Sequence, residues 1–336
     1  MSGEATVSAP GKTILFGEHA AVYGHPALVT ALDHRMTVSA RTSASLDRGT
    51  VHLEIPALRI DTTVPATLAL DAARAPGDLA ILAVAIATAE FASPAFGLHL
   101  RIDSAIPSGS GFGSSAALAV AVVAACRRAL DDDIAHDEIA RLALSIERHQ
   151  HGRASGVDVQ AVLRGGALWC RRLENGTLAC EDLPAAGGLH AFRLFHSGAP
   201  NETTGQMVDA VRNLQDRDPV RVREAFATIE AATRAGHAAI VGGDAEALVP
   251  IVRRAEAALE ILGVVPEGVR ASIRAIEADG GAAKISGAGG RSGAGAGLVI
   301  VAHPDPSWHA RFTPPTPWMA HDVRLGAEGL RLEVAA

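Results

Sequence analysis

Lysine is nearly missing from this chain: of 30 basic side chains among 336 residues, only Lys12 and Lys284 are lysine. Each stands in a glycine-rich segment, where a compact ammonium on a flexible stem does work that a planar guanidinium does not. Cysteine is scarce too. Cys126, Cys170 and Cys180 form no C-x-x-C and leave one over in any pairing, which suits a reducing compartment. No basic run is present and the net charge is −7, which argues against nucleic acid as the partner. The longest apolar run, Ala116 to Cys126, is too short to span a bilayer. No basic segment followed by an apolar core opens the chain, so no secretory leader is expected. No repeat is found either. These absences predict a cytoplasmic protein that binds neither nucleic acid nor membrane. With 48% hydrophobic and 20% charged residues it should be well packed, and its length predicts two domains.

The stretch around which the rest is organised is Ile106 to Ala125, IPSGSGFGSSAALAVAVVAA. Before it, GLHLRIDS (Gly97 to Ser104) alternates like a half-buried strand. After it, a small apolar run with no breaker until after Leu130 reads as a buried helix. Between them lie Gly109, Gly111 and Gly113, then Ser114 and Ser115 at the expected N-cap. Glycines allow close backbone approach to a ligand, and the first N–H groups of a helix attract an anion. Three readings compete: a plain strand-to-helix turn, a dinucleotide fingerprint and a nucleoside triphosphate loop. The spacing is GxGxG rather than GxGxxG, and no strand precedes the acidic run Asp131 to Asp133. Gly11-Lys12-Thr13 is half of a Walker A motif without its first glycine, whose place Thr6 takes.

Along the chain, short β-prone runs fill Ala5 to Ser43, with Pro10-Gly11-Lys12 read as a turn between two of them. VHLEI and LRIDTT are further strands, and Gly77 to Phe91 an apolar helix with Asp78 near its start. Its Leu79, Leu82, Val84 and Ile86 form a core stripe. Asp137 to His149 is amphipathic, and a short helix begins at Val157. ALWCRRL and TLACEDL form a hairpin. Pro184 to Gly188 is the linker expected between residues 1–185 and 186–336. Helices are then expected over Thr204 to Gln215, Val220 to Val241, Ala245 to Leu262 and Glu267 to Ala278. Strand, glycine loop and strand follow over Gly281 to His303, and HDVRL and LRLEV are strands of the tail. The class is α+β.

Three segments in this order, APGKTILFGEHAAVYGHPAL (Ala9 to Leu28), IPSGSGFGSSAA (Ile106 to Ala117) and KISGAGG (Lys284 to Gly290), resemble the GHMP kinase superfamily of galactokinases, homoserine kinases, mevalonate kinases and phosphomevalonate kinases. Together they span nearly the whole chain. Glu18-His19, where phosphomevalonate kinases usually have Glu-Tyr, and HGRASGVD (His151 to Asp158) are most similar to the mevalonate kinase branch. The resemblance implies a two-domain fold, with an N-terminal domain like ribosomal protein S5 domain 2 and a ferredoxin-like C-terminal domain. It implies ATP in the groove between them, its phosphates wrapped by Pro107, Gly109, Ser110, Gly111, Phe112, Gly113, Ser114 and Ser115, with Ser104 touching the nucleotide. Asp158 matches the catalytic aspartate and Lys12 the substrate-side lysine. Ser115 and Glu147 match the magnesium ligands. His19, Glu18 and Thr204 match acceptor-site positions, the last in a segment one residue longer here. The implied activity is ATP-dependent phosphorylation of mevalonate to 5-phosphomevalonate in isoprenoid precursor biosynthesis, and a homodimer is a family-level expectation.

These residue types suit the chemistry. Phosphoryl transfer asks a protein for positioning and charge neutralisation. Magnesium takes a few oxygen ligands and keeps waters. An aspartate accepts the proton of the attacking alcohol, and a lysine beside it stabilises the developing alkoxide. For Asp158 the competing reading is a helix N-cap, and for Glu147 a surface pair with Arg148 or Arg153. His149 and His151 lack further ligands at metal spacing and read as polar loop residues, as His25 reads as turn-associated. Two departures from the family pattern stand out: Ala154 replaces a proline, and Arg291-Ser292 interrupts the third glycine loop. A phosphorylated acceptor would require extra cations, which Arg153 or Arg193 would have to supply. Besides a kinase for another small alcohol, a catalytically silent small-molecule sensor is the alternative.

Overall fold

The computed structural model of the chain describes residues 3–65, 76–88, 97–107, 111–130, 135–151, 154–184, 187–305, 307–315 and 317–333. In chain order these form β1 (Glu4–Phe16), β2 (Ala27–Ser43), β3 (Thr50–Ile55), β4 (Ile60–Pro65), α1 (Pro76–Thr88), β5 (Gly97–Ser104), α2 (Ser114–Ala129), α3 (His136–His151), α4 (Val157–Arg164), β6 (Ala167–Arg172) and β7 (Leu178–Asp182). Then come β8 (Phe192–His196), α5 (Thr204–Arg217), α6 (Pro219–Gly242), α7 (Ala245–Leu262), α8 (Glu267–Ala278), β9 (Ala282–Ser286), β10 (Leu298–Ala302), α9 (Trp308–Arg311), β11 (Met319–His321) and β12 (Arg331–Leu332).

Two sheets result. The larger runs β12-β1-β2-β5-β3-β4, with β6 also pairing β2 and β7 pairing β6; the β3–β5 pair is parallel and the others antiparallel. The smaller is antiparallel, in the order β11-β8-β10-β9. In the alternating strand β5, Leu98, Leu100 and Ile102 point into the core that α1 and α2 cover, while His99 and Arg101 point away. Helix α2 is buried almost all round, because alanine and valine leave little side chain to find a place for. Helices α7 and α8 pack on β9 of the smaller sheet, with α6 against α7. The chain's tail returns to the larger sheet, where β12 pairs β1 at Val7 and Ser8.

Several expectations change. Pro10-Gly11-Lys12 is no turn but part of the 13-residue strand β1. The partner strand β2 absorbs the irregularity: Pro10 pairs Arg35 while Gly11 pairs Leu32, so β2 bulges by two residues and the ladder continues past a proline. The apolar helix expected over Gly77 to Phe91 is α1, and residues 89–91 lie outside the described residues, as do Asp131 to Asp133 and the middle of the linker. The hairpin β6–β7 sets Cys170 opposite Cys180, and the two form a disulfide, so the cysteine pattern read as suiting a reducing compartment contains a bond. Cys126 is the one left over, its thiol pushed up to about 12 by burial in α2.

Candidate active site

The three glycine segments, far apart in sequence, meet in one place. Strand β1 carries Lys12 past the second glycine loop, where the Lys12 backbone N–H donates to the Phe112 carbonyl at 2.8 Å. Gly113 closes that loop at φ 77°, and a Cβ there would come within 2.7 Å of the Lys12 side chain. A side chain at 113 is thus excluded twice, by backbone conformation and by the lysine beneath it. Gly111, at φ 87°, lies against Leu298 at the start of β10. From the other side, Ser286 at the end of β9 accepts from the Ile14 N–H at 3.1 Å and shares a hydrogen bond of 2.8 Å with the Thr13 hydroxyl. The two sheets are therefore stitched together at the strand that holds Lys12.

Lys12 Nζ reaches Asp158 Oδ2 at 2.9 Å. The lysine is almost buried (6% exposed) and the aspartate is open (34%). Asp158 is not the N-cap of α4: Gly156, at φ 87°, takes that place, and Asp158 is the second helical residue with its carboxylate turned to Lys12. Nearby, the Ser115 hydroxyl donates to Glu147 Oε1, and Glu147 is buried rather than on the surface. Burial pushes the Glu147 carboxyl up to about 7; the Ser115 hydrogen bond pulls against this, and the Asp158 charge adds to it. Helix α2 begins one residue earlier than a cap at Ser114 would have it. Gly113 is its N-cap, with no side-chain cap, and Ser114 and Ser115 are its first two helical residues. Lys12, Asp158, Ser115 and Glu147 thus gather from β1, α4, α2 and α3.

Other expected residues stand around this group. Ser104 ends β5, its hydroxyl accepting from the Ile106 N–H at 3.1 Å, and leads through Pro107 into the loop. Gly109 and Ser110 lie outside the described residues, as does Arg153. His19 is held at φ 58°, a left-handed conformation costly for a non-glycine residue. Its ring Nε2–H donates to the Ala288 carbonyl at 3.0 Å, and burial pushes its pKa down to about 4, so the ring is neutral. Glu18 turns inward: its carboxylate pairs with Lys284 in a fully buried contact. Burial holds that carboxyl above its ordinary value while Lys284 pulls it down. Thr204 is exposed at the start of α5, which Thr203 caps. Its segment is tied to the third glycine loop by Glu202, which accepts from the Arg291 N–H at 3.1 Å and the Ser292 hydroxyl at 2.6 Å. The Arg291 side chain is exposed, and Arg193 spends its guanidinium on the carbonyls of His190 and Phe192.

Sequence reasoning missed Glu256. Its Oε2 accepts from the Ile285 N–H at 3.0 Å beside the Lys284 pair, and burial pushes its pKa up to about 8. It missed as well that His25 joins Glu230 of α6 at 2.6 Å and packs on Phe226. A lone polar residue in an amphipathic helix carries no sequence signal for either contact.

Residues 79–166 match the family model of the GHMP kinase N-terminal domain. The chain is 33% identical to the mevalonate kinase of Archaeoglobus fulgidus, covering 84% of this chain and 88% of that one. The chain belongs to the GHMP kinase family. A second relative of this GHMP kinase, the mevalonate kinase of Methanothermobacter thermautotrophicus, is 31% identical over 89% of this chain and 90% of its own. Among solved structures, the Methanococcus jannaschii mevalonate kinase superposes with a TM-score of 0.75 at 21% identity, covering 98% of both chains. The fold is thus the two-domain GHMP kinase fold, and the protein is an ATP-dependent small-molecule kinase. No helix among the described residues is long and apolar enough to cross a membrane.

Proposed function

We propose that this kinase transfers the γ-phosphoryl group of ATP to the 5-hydroxyl of mevalonate, giving 5-phosphomevalonate for isoprenoid precursor biosynthesis. The observation that carries the reading is the Lys12–Asp158 pair at 2.9 Å, open to solvent on the aspartate side and adjoining the start of α2. Asp158 accepts the proton of the acceptor hydroxyl as the oxygen attacks phosphorus and the bond to the β-phosphate oxygen breaks. Lys12, too buried to swing away, offsets the charge growing on the attacking oxygen. Of the second glycine loop, Pro107 and residues 111–115 border the phosphates, with the helix N-terminus behind them. Ser115 and Glu147 suit Mg²⁺: both offer hard oxygens, and a buried carboxyl raised to about 7 gains from a cation beside it. Mg²⁺ bound there supplies charge neutralisation to the phosphate oxygens. Ser104 serves the nucleotide, and His19, Glu18 and Thr204 border the acceptor, His19 most directly and Glu18 from behind.

The residues 1–185 then form the unit that holds ATP and the base, and 186–336 the unit that closes the groove, with β12 returned to the first. The proposal places the enzyme in the cytoplasm, with a homodimer as its expected assembly. The test is ADP release with Mg²⁺ and ATP on mevalonate, 5-phosphomevalonate, galactose and homoserine. Turnover on mevalonate alone is expected, with kcat lowered by about 10²–10⁴ in Asp158→Asn. Turnover on another acceptor alone moves the substrate, and ATP binding without turnover on any of the four favours a sensor.

A further inference from the structure

On the face of the larger sheet opposite α1 and α2, three strands set out a grid of polar side chains away from the active site. Register pairs His99 of β5 with His52 of β3, and His52 with Thr63 of β4; one step along, Arg101, Glu54 and Asp61 line up likewise. His52 Nε2 lies 3.5 Å from Glu54 Oε1 and 3.4 Å from Asp61 Oδ1, and His99 Nδ1 lies 3.8 Å from Glu54 Oε1. The two imidazoles pack at 4.3 Å between centroids.

We propose that His52, His99 and Glu54, with Asp61 as fourth ligand, form a binding site for a divalent transition-metal ion such as Zn²⁺. The spacing is the first reason. Ligands at about 2.0–2.1 Å from a tetrahedral zinc stand about 3.4 Å from one another, so His52, Glu54 and His99 need little movement to close on an ion, and Asp61, 3.4 Å from His52, completes the set from the exposed edge strand. The supporting contacts are the second. The His52 Nδ1 meets the Thr63 hydroxyl at 2.9 Å, which turns Nε2 toward the carboxylates. Arg101 holds the other oxygen of Glu54 at 3.1 Å and is itself anchored on Asp103, so Oε1 is left toward the rings. Two carboxylates balance the charge of the ion and offset the like charge of Arg41, which stands opposite His99 on β2. Imidazole nitrogen favours zinc, cobalt or nickel over the all-oxygen ligation of Mg²⁺. The ion would tie the edge hairpin β3–β4 to β5, the strand that runs into the phosphate loop.

The test is Co²⁺ titration of the tag-free, chelator-stripped full chain in millimolar Mg²⁺, which fills sites made of hard oxygens alone. A single equivalent of Co²⁺ is expected to give visible d–d absorption of four-coordinate cobalt, displaced by Zn²⁺. His52→Gln and His99→Gln should each weaken Co²⁺ binding by more than about 100-fold, and Thr63→Val by about tenfold. Unchanged metal-free melting of these variants separates loss of ligands from loss of fold. Zn²⁺ should raise the melting midpoint of the wild type and not of the variants. Absence of the band, a band that survives both histidine changes, or a thiolate-to-cobalt transition marking a cysteine would each overturn the proposal.

Discussion

The chain's two lysines each meet a carboxylate, yet the two pairs differ in kind. Lys12 and Asp158 stand at 2.9 Å with the aspartate one-third exposed, whereas Lys284 and Glu18 are both closed off from solvent. Lys284 also donates to the Ile285 carbonyl at 2.8 Å and lies over the Phe16 ring, so every direction of its ammonium is taken. An open pair can trade partners with a ligand; a closed pair cannot, and removing one member strands a charge in the interior. Both tie the larger sheet to a neighbour, but only the first leaves room for a reaction. Charge pairing alone does not tell the two apart, and the accessibility of one partner does.

Exchanging the lysines breaks the comparison most sharply. Lys12→Met should lower kcat by about 10²–10³ with little change in melting midpoint. Lys284→Met should do the reverse, costing about 3–5 kcal/mol of stability by leaving Glu18 buried and unpaired. Adding Glu18→Gln to Lys284→Met should recover most of that loss in chemical denaturation. Equal activity losses with equal stability losses in the two single variants would erase the distinction.

A pH series on metal-free protein is expected to give a smaller effect. The Glu147 carboxyl rises from 4.5 to about 7 on folding, so the folded protein keeps a proton that the unfolded chain has already released. Its stabilisation is complete below about pH 4.5 and is lost as pH climbs through about 7, on the order of 3 kcal/mol. Glu147→Gln should abolish that slope, and Mg²⁺ at neutral pH should stabilise the wild type but not the variant. The smallest effect is expected from Arg291→Ala: an exposed side chain whose backbone, not its guanidinium, meets Glu202 should change stability by less than about 0.5 kcal/mol. Its kcat/KM should stay within about threefold, and a larger loss would give Arg291 a place beside the phosphates.

Part of this was legible in advance. Small apolar residues from Ala116 to Ala125 specify a buried helix whatever surrounds them, and α2 runs as expected to Ala129. The alternation in GLHLRIDS and the Cys170 and Cys180 hairpin were equally local. At the site, the ordered segments pointed to Lys12, Asp158, Ser115 and Glu147, which the structure gathers. Glu18 shows where such reading stops: its motif position set it toward the acceptor, while its carboxylate found Lys284, 266 residues away. Pro10 shows another limit, because the bulge that accommodates it belongs to the partner strand.

By itself, then, the sequence determined most helices and strands, the family and a small set of candidate site residues, because these follow from local periodicity and from motif order. Only the tertiary structure decided which lysine is open and which is sealed. It also decided that Glu147 carries a carboxyl near neutrality, and that two histidines and two carboxylates share one face of β3, β4 and β5. Burial and strand register set those outcomes, and both depend on residues brought together from distant parts of the chain.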